Sequence, residues 1–92
     1  MSVIDTNTNK VLATIPVGQH PQDIAWAPDG RFAYVVNEGS NSITVVNART
    51  NQVTATIPTG ANPTSIAVLP NGRQAFVSNL DSGTLTVLEL TG

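Results

Sequence analysis

The sequence predicts an all-β fold made of four-stranded antiparallel meanders, and three observations support this class. Thr, Val and Ile make up nearly a third of the 92 residues, and β-branched side chains suit pleated strands better than helices. Six prolines and seven glycines divide the chain into segments of strand length. The stretch Thr8–Gly18 (TNKVLATIPVG) recurs 42 residues later as Thr50–Gly60 (TNQVTATIPTG), which indicates a repeated unit.

The repeat runs without gaps over most of the chain. Residues 2–43 align with residues 44–85, and 19 of the 42 pairs are identical. The identical pairs are mostly turn residues and apolar positions. They include Gly18 with Gly60, Pro21 with Pro63, Ile24 with Ile66, Gly30 with Gly72 and Asn37 with Asn79.

One period predicts four strands, each followed by a turn. The first strand ends in PDGR, where Pro28 presets the first turn residue and Gly30 permits a positive φ. The stretch EGSNS separates the second and third strands, and ARTNQ, with Asn51 in the left-handed conformation, separates the third and fourth. The predicted strands span residues 22–28, 31–37, 42–47 and 52–58.

The same 42-residue spacing assigns strands to the rest of the chain. Residues 1–21 form a partial unit with the third and fourth strands, and residues 22–58 form a complete unit. Residues 64–90 form a second partial unit with the first to third strands. The whole chain, 1–92, is therefore predicted to be one domain of about two units.

Four-stranded meanders of about 40 to 50 residues are the size of β-propeller blades. Tyr34–Asn37 (YVVN) and Phe76–Asn79 (FVSN) stand at equivalent places in the two repeats. With their surroundings they resemble the YVTN β-propeller repeat of surface-layer-type proteins. The resemblance implies propeller blades, a structural or binding scaffold without catalysis, and an extracellular or cell-surface location.

Composition argues against several function classes. The formal net charge is −2 with only four basic residues, so no Lys/Arg cluster for nucleic acid is present. Apolar runs are only a few residues long, and no signal-peptide pattern opens the chain, so no membrane insertion is expected. The absence of cysteine removes disulfides and thiolate metal sites.

No catalytic or metal constellation is evident in the sequence. The stretch Asp5–Asn9 (DTNTN) imitates half of a calcium loop, but Lys10 stands where glycine is required. His20 is the only histidine, which is too few for a zinc site or a triad within one chain. We therefore predict no enzyme, no metal and no cofactor.

Any ligand is expected at one end of the central channel of the propeller. Two sets of loops form this end: those that join the fourth strand of one blade to the first strand of the next, and those that join the second strand of a blade to its third. These loops are rich in amide, hydroxyl and carboxylate groups that could bind a glycan or a peptide. The candidate ligand-binding residues are His20, Gln22, Asp23, Glu38, Asn41, Asn62, Ser65 and Asp81. The alternative function is a catalytic or metal-dependent propeller with its site at this channel mouth.

Packing between blades is predicted to bury the large apolar side chains of the inner strands. The residues expected in the core are Trp26, Tyr34, Ile24, Ile66 and Phe76.

Two repeats leave apolar blade faces bare, so self-association is predicted. A homotrimer would give six blades and a homotetramer eight. A neighbour's Lys10–Pro16 would supply the strand that the last blade lacks. Met1–Asp5 and Leu85–Glu89 then compete for one position, which the sequence leaves open.

Overall fold

The computed structural model describes residues 1–90 and, at Asp5, the backbone alone. Nine strands occur in this range, and they form three antiparallel sheets. The strands are β1 (Ser2–Asp5), β2 (Lys10–Thr14), β3 (Pro21–Trp26), β4 (Phe32–Asn37), β5 (Ser42–Asn47), β6 (Gln52–Pro58), β7 (Pro63–Val68), β8 (Gln74–Asn79) and β9 (Thr84–Glu89). The all-β, meander prediction is confirmed. Nothing in these 90 residues forms a helix of the length and apolarity that crossing a membrane needs.

The three sheets follow the repeat. Strands β1 and β2 pair as a two-stranded sheet, here called the N-terminal hairpin. Strands β3-β4-β5-β6 form a four-stranded meander, blade 1, and β7-β8-β9 form a three-stranded meander, blade 2. The first strands of the two blades, β3 and β7, contact each other. Successive sheets thus stack side by side as propeller blades do.

Left-handed residues shape the turns between strands. Asn41 and Asn51 adopt φ values of 51° and 60°, and asparagine tolerates this region better than most residues. Asp29 accepts a hydrogen bond from the Arg31 backbone N–H at 3.0 Å, next to Gly30 at φ 75°. The turn chemistry predicted from PDGR is therefore present.

The core lies mainly between blade 1 and blade 2. Blade 1 contributes the side chains of β4 and β5 that alternate toward its neighbour, and blade 2 contributes its opposing face. The buried members are Ala27, Tyr34, Val36, Ile43, Val45, Ile66, Ala75, Val77 and Leu88. A smaller cluster, in which Met1, Val3 and Val17 pack on Ile15, Ala33 and Val46, joins the N-terminal hairpin to blade 1.

Two of the five predicted core residues are exposed. Tyr34 and Ile66 are 5% and 8% exposed, whereas Ile24 and Trp26 are 42% and 54% exposed. Phe76 is half-buried. The burial predicted for Ile24 and Trp26 is wrong because, within residues 1–90, the two strands of the N-terminal hairpin cover less of blade 1 than a whole blade would.

Candidate functional site

The loops at one end of the sheets share a backbone frame in both blades. In blade 1 the Glu38 N–H donates to the His20 carbonyl at 3.0 Å. In blade 2 the Leu80 N–H donates to the Asn62 carbonyl at 2.9 Å. His20 and Asn62 both have positive φ, 49° and 58°. At these positions blade 1 therefore has His20 and Glu38, whereas blade 2 has Asn62 and Leu80.

The ring of His20 lies over the tip of the neighbouring loop. A Cβ atom added to Gly39 would come within 2.5 Å of its Cδ2 atom, so only glycine leaves room for the imidazole in this position. Glu38, the residue before Gly39, is half-buried, and His20 is exposed. The sequence proposed both residues as ligand-binding candidates, and the backbone hydrogen bond brings them together.

Two other candidates tie the blades to each other. The Asp23 carboxylate accepts hydrogen bonds from the backbone N–H of Ile24 at 2.9 Å and of Ile66, in blade 2, at 3.2 Å. The Asn41 Oδ1 atom accepts from the Asn62 N–H at 2.9 Å. The Asp23 carboxylate therefore links the first strand of blade 1 to the first strand of blade 2.

The three remaining candidates lie near the starts of strands or in a loop. Gln22, Ser65 and Asp81 are exposed. Gln22 and Ser65 are at equivalent ends of β3 and β7, and Asp81 follows Leu80 in the loop between β8 and β9. Among the described residues, no group of three or more His, Asp or Glu side chains is arranged to hold a metal ion.

A buried asparagine network supports the loop end, and the sequence analysis missed it. Asn37, fully buried, donates its side-chain N–H groups to Ser42 Oγ at 3.3 Å and Thr44 Oγ1 at 2.7 Å. Asn79 makes the matching bond to Thr86 Oγ1 at 2.7 Å. The signal was present as a recurring asparagine followed by hydroxyl residues five and seven positions later.

The loop before the first strand of each blade crosses the buried asparagine, and this crossing requires glycine. A Cβ atom at Gly18 would lie 2.6 Å from Cγ of Asn37, and one at Gly60 would lie 2.9 Å from Cγ of Asn79. Real Cβ atoms do not approach so closely, so the loop backbone rests directly on the asparagine amide. The repeated Gly and Asn therefore form one packing unit that fixes the loop carrying His20.

A groove of about 730 Å³ opens between the blades at the other end. Asp29, Tyr34, Arg73 and Glu89 are among its lining residues. Burial, and secondarily the negative charge of Asp29, raise the pKa of the Tyr34 phenol above its ordinary value of 10.0. Tyr34 is therefore a neutral phenol at physiological pH.

Comparison with known proteins identifies the family. Residues 3–92 match the family described as Lactonase, 7-bladed beta-propeller. Hydrazine synthase of Kuenenia stuttgartiensis is similar over 94% of this chain and 25% of its own, with 32% identity and a TM-score of 0.87. The dihydro-heme d1 dehydrogenase NirN is similar over 96% of this chain and 19% of its own, with 25% identity and a TM-score of 0.87.

A third solved structure, provisionally assigned as a 6-phosphogluconolactonase from Bacteroides uniformis, shares the fold. It is 19% identical with a TM-score of 0.78, over 98% of this chain and 30% of its own. This chain thus spans about a fifth to a third of the length of these three structures. A search of curated proteins found no significant match.

These findings correct one prediction and refine another. The prediction of a protein that is not an enzyme is wrong, because the matched family is one of lactonases, enzymes that open cyclic esters. The propeller part of the predicted resemblance is confirmed, whereas these findings do not show the surface-layer type. The chain belongs to the seven-bladed β-propeller lactonase family.

Proposed function

We propose that this chain carries a hydrolytic site for lactones at the loop end of blade 1, with His20 as general base. The observation behind this proposal is a difference between the loop ends of the two blades. The same positive-φ backbone frame holds His20 beside Glu38 in blade 1 and Asn62 beside Leu80 in blade 2. Of these two pairs, only His20 and Glu38 have side chains that can accept and return a proton.

Hydrolysis of a lactone needs few groups. The imidazole of His20 takes a proton from water as the water oxygen attacks the ring carbonyl carbon. The carbonyl oxygen becomes an oxyanion, which hydrogen-bond donors stabilise. The ring C–O bond then breaks, the imidazolium returns the proton to the leaving alkoxide oxygen, and the product is a hydroxy acid.

The neighbours of His20 fit the supporting roles. Glu38 holds the loop of His20 in place, because its backbone N–H donates to the His20 carbonyl at 3.0 Å. The amide groups of Gln22 and Asn41 lie on the same loop end and can donate to the oxyanion. Asp23 acts as a positioning residue, because its carboxylate holds β7 against β3.

A matched pair of variants tests the proposal. His20→Asn gives blade 1 the residue that blade 2 already carries at a positive φ, so the loop should fold. We expect kcat/KM for δ-gluconolactone hydrolysis, followed by hydroxylamine trapping of remaining lactone, to fall at least 10-fold. The control Asn62→Asp should leave the rate unchanged.

Circular dichroism checks that both variants keep the strand signal of the unmodified chain. Full activity in His20→Asn would remove His20 from the mechanism. Hydrolysis by the unmodified chain no faster than buffer would reject a lactonase site in this segment.

A further inference from the structure

The groove of about 730 Å³, here called the inter-blade groove, lies between two blades that are both present in the described chain. One wall consists of the turn after β3 and the start of β4, and the other consists of the turn after β7 and the end of β9. In blade 1 the residues after β5, 48–51, turn to the outer strand β6. The repeat therefore predicts that the chain beyond Leu90 leaves the groove at its outer end.

Tyr34 supplies a buried polar group to the inter-blade groove. The residue is 5% exposed and packs in the core between the blades. Burial raises the pKa of its phenol, and the negative charge of Asp29, another lining residue, raises it further. The hydroxyl end of the ring therefore faces the groove. Among residues 1–90 this hydroxyl has no hydrogen-bond partner, although buried tyrosine hydroxyls usually have one, so it is available to a bound molecule.

Two charged side chains of blade 2 border the groove. Arg73 and Glu89 are exposed lining residues, and in the part of the chain that the structure describes neither belongs to an ion pair. The repeat counterpart of Arg73 behaves differently, because Arg31 lies 3.8 Å from the Asp29 carboxylate. The groove thus contains an unpaired guanidinium, which can bind an anion, and an unpaired carboxylate, which can bind a cation.

Apolar side chains form the floor of the groove. Phe32 lies two residues before Tyr34 on β4, so both side chains are on the same face of the strand. Phe32 and Leu90 are half-buried and pack against the core between the blades. The other repeat has Gln74 and Ala48 at these positions. Small-molecule sites commonly have volumes of about 300 to 1,000 Å³ and such a mixture of apolar walls and a few polar groups.

From these groups we infer that the inter-blade groove binds a small zwitterion with an apolar body, the class of free apolar amino acids and short apolar peptides. The ligand carboxylate pairs with the Arg73 guanidinium, which can hold a carboxylate through two parallel hydrogen bonds. The ligand ammonium group pairs with Glu89, and the apolar body rests on Phe32 and Leu90. The Tyr34 hydroxyl adds one hydrogen bond to the ligand.

The mixed charge of the groove favours a zwitterion over a singly charged ligand. An anion bound at Arg73 would also meet the negative charges of Asp29 and Glu89, and a cation bound at Glu89 would meet the positive charge of Arg73. Like charges repel at such short range, whereas a zwitterion gives each group an opposite partner. The inference is independent of the proposed hydrolytic site, because the groove lies at the other end of the sheets.

Binding of leucyl-phenylalanine, a dipeptide with both charged ends, tests the inference. The dipeptide is titrated into the 92-residue chain, and the backbone N–H signals are followed by NMR. We expect saturable shifts at Gln74 and Leu90, and we expect N-acetylation or C-terminal amidation of the dipeptide each to weaken binding by about 5-fold or more. Shifts confined to the loop end around His20 would overturn the inference, as would no saturation up to about 10 mM dipeptide.

Matched variants assign the two charged ends. Glu89→Asn gives blade 2 the residue that blade 1 has as Asn47, so the strand should form, and this variant should bind the free and the N-acetylated dipeptide equally. Arg73→Gln should bind the free and the amidated dipeptide equally. The control Arg31→Gln, outside the groove, should keep both differences. If Glu89→Asn and Arg73→Gln, with the strand signal unchanged in circular dichroism, keep them as well, the inference is wrong.

Tyr34→Phe tests the hydroxyl group. The variant gives blade 1 the residue that blade 2 has as Phe76, so the core should retain its packing. Loss of one hydrogen bond should weaken binding of the free dipeptide by about 2- to 10-fold. Affinity equal to that of the unmodified chain would remove the Tyr34 hydroxyl from the site.

Discussion

Blade 1 and blade 2 carry the same repeat in different surroundings, and the surroundings decide what each residue does. Ile43 is fully buried while its counterpart Leu85 is 58% exposed. Conversely, Ile66 is 8% exposed while its counterpart Ile24 is 42% exposed. The side chains are nearly the same in both comparisons. Burial in a repeat protein is thus a property of the neighbouring unit as much as of the residue.

The largest contrast is expected between Ile43→Ala and Leu85→Ala. Removing buried Ile43 should lower the free energy of unfolding by about 2 to 5 kcal/mol, because the core between the blades cannot collapse fully into the gap. Leu85→Ala should cost less than about 1 kcal/mol, because the Leu85 side chain is 58% exposed. Urea unfolding at low micromolar concentration, followed by circular dichroism, measures both. Equal losses would mean that the two faces are covered alike.

Gly18 and Gly60, which pack on the buried asparagines, extend the comparison of the two blades. Gly18→Ala should destabilise the fold by about 1 to 3 kcal/mol, because the added methyl group comes 2.6 Å from Cγ of buried Asn37. Gly60→Ala is the matched control, and its loss should be smaller because the nearest atom of Asn79 is 2.9 Å away. Thermal unfolding ranks the two variants. A larger loss at Gly60 would reverse the order that these distances predict.

Blade 1 also carries a titrating group that blade 2 lacks. Tyr34 has its pKa raised above 10.0 in the folded chain, whereas the equivalent position in blade 2 is Phe76. Above pH 10 the unfolded chain loses the phenol proton first, so the free energy of unfolding falls with pH. The decrease reaches at most about 1.4 kcal/mol per pH unit until the folded phenol also ionises.

Tyr34→Phe should remove this contribution. Urea midpoints measured from pH 9 to pH 11 should decline less steeply in the variant than in the unmodified chain. Parallel declines in the two proteins would assign the alkaline loss to other groups.

The smallest effect is expected at Trp26. Because it is 54% exposed, Trp26→Ala should lower the free energy of unfolding by about 1 kcal/mol or less. A core tryptophan would instead cost roughly 3 to 5 kcal/mol. A loss of several kcal/mol would show that Trp26 is packed in the core.

The strands and turns were accessible from the sequence because their determinants are local. β-Branched alternation, Pro28 and Gly30 fix each strand and turn whatever lies beside the blade. The burial of Trp26 was not accessible in this way. It depends on how much of blade 1 the N-terminal hairpin covers, and this is a contact between distant parts of the fold.

The loop positions of the candidate residues could be predicted from the sequence, but their contacts could not. The loop residues His20 and Glu38 were selected from topology, and the structure joins them through one backbone hydrogen bond. Asp23 was selected for its carboxylate, yet that group is used to hold Ile66. A sequence shows that a polar side chain is near a loop end but not which backbone N–H group it already accepts.

The turns between the first and second strands of the two blades differ in their susceptibility to deamidation. Asn71–Gly72 is the single Asn-Gly dipeptide of the chain, the sequence most prone to spontaneous deamidation. In the other repeat the same turn already contains Asp29–Gly30. Asp29 and Asn71 accept the same backbone hydrogen bond, from Arg31 at 3.0 Å and from Arg73 at 2.9 Å. Conversion of Asn71 to aspartate would therefore reproduce a turn that the fold already uses, whereas the isoaspartate product, with its longer backbone, would break it.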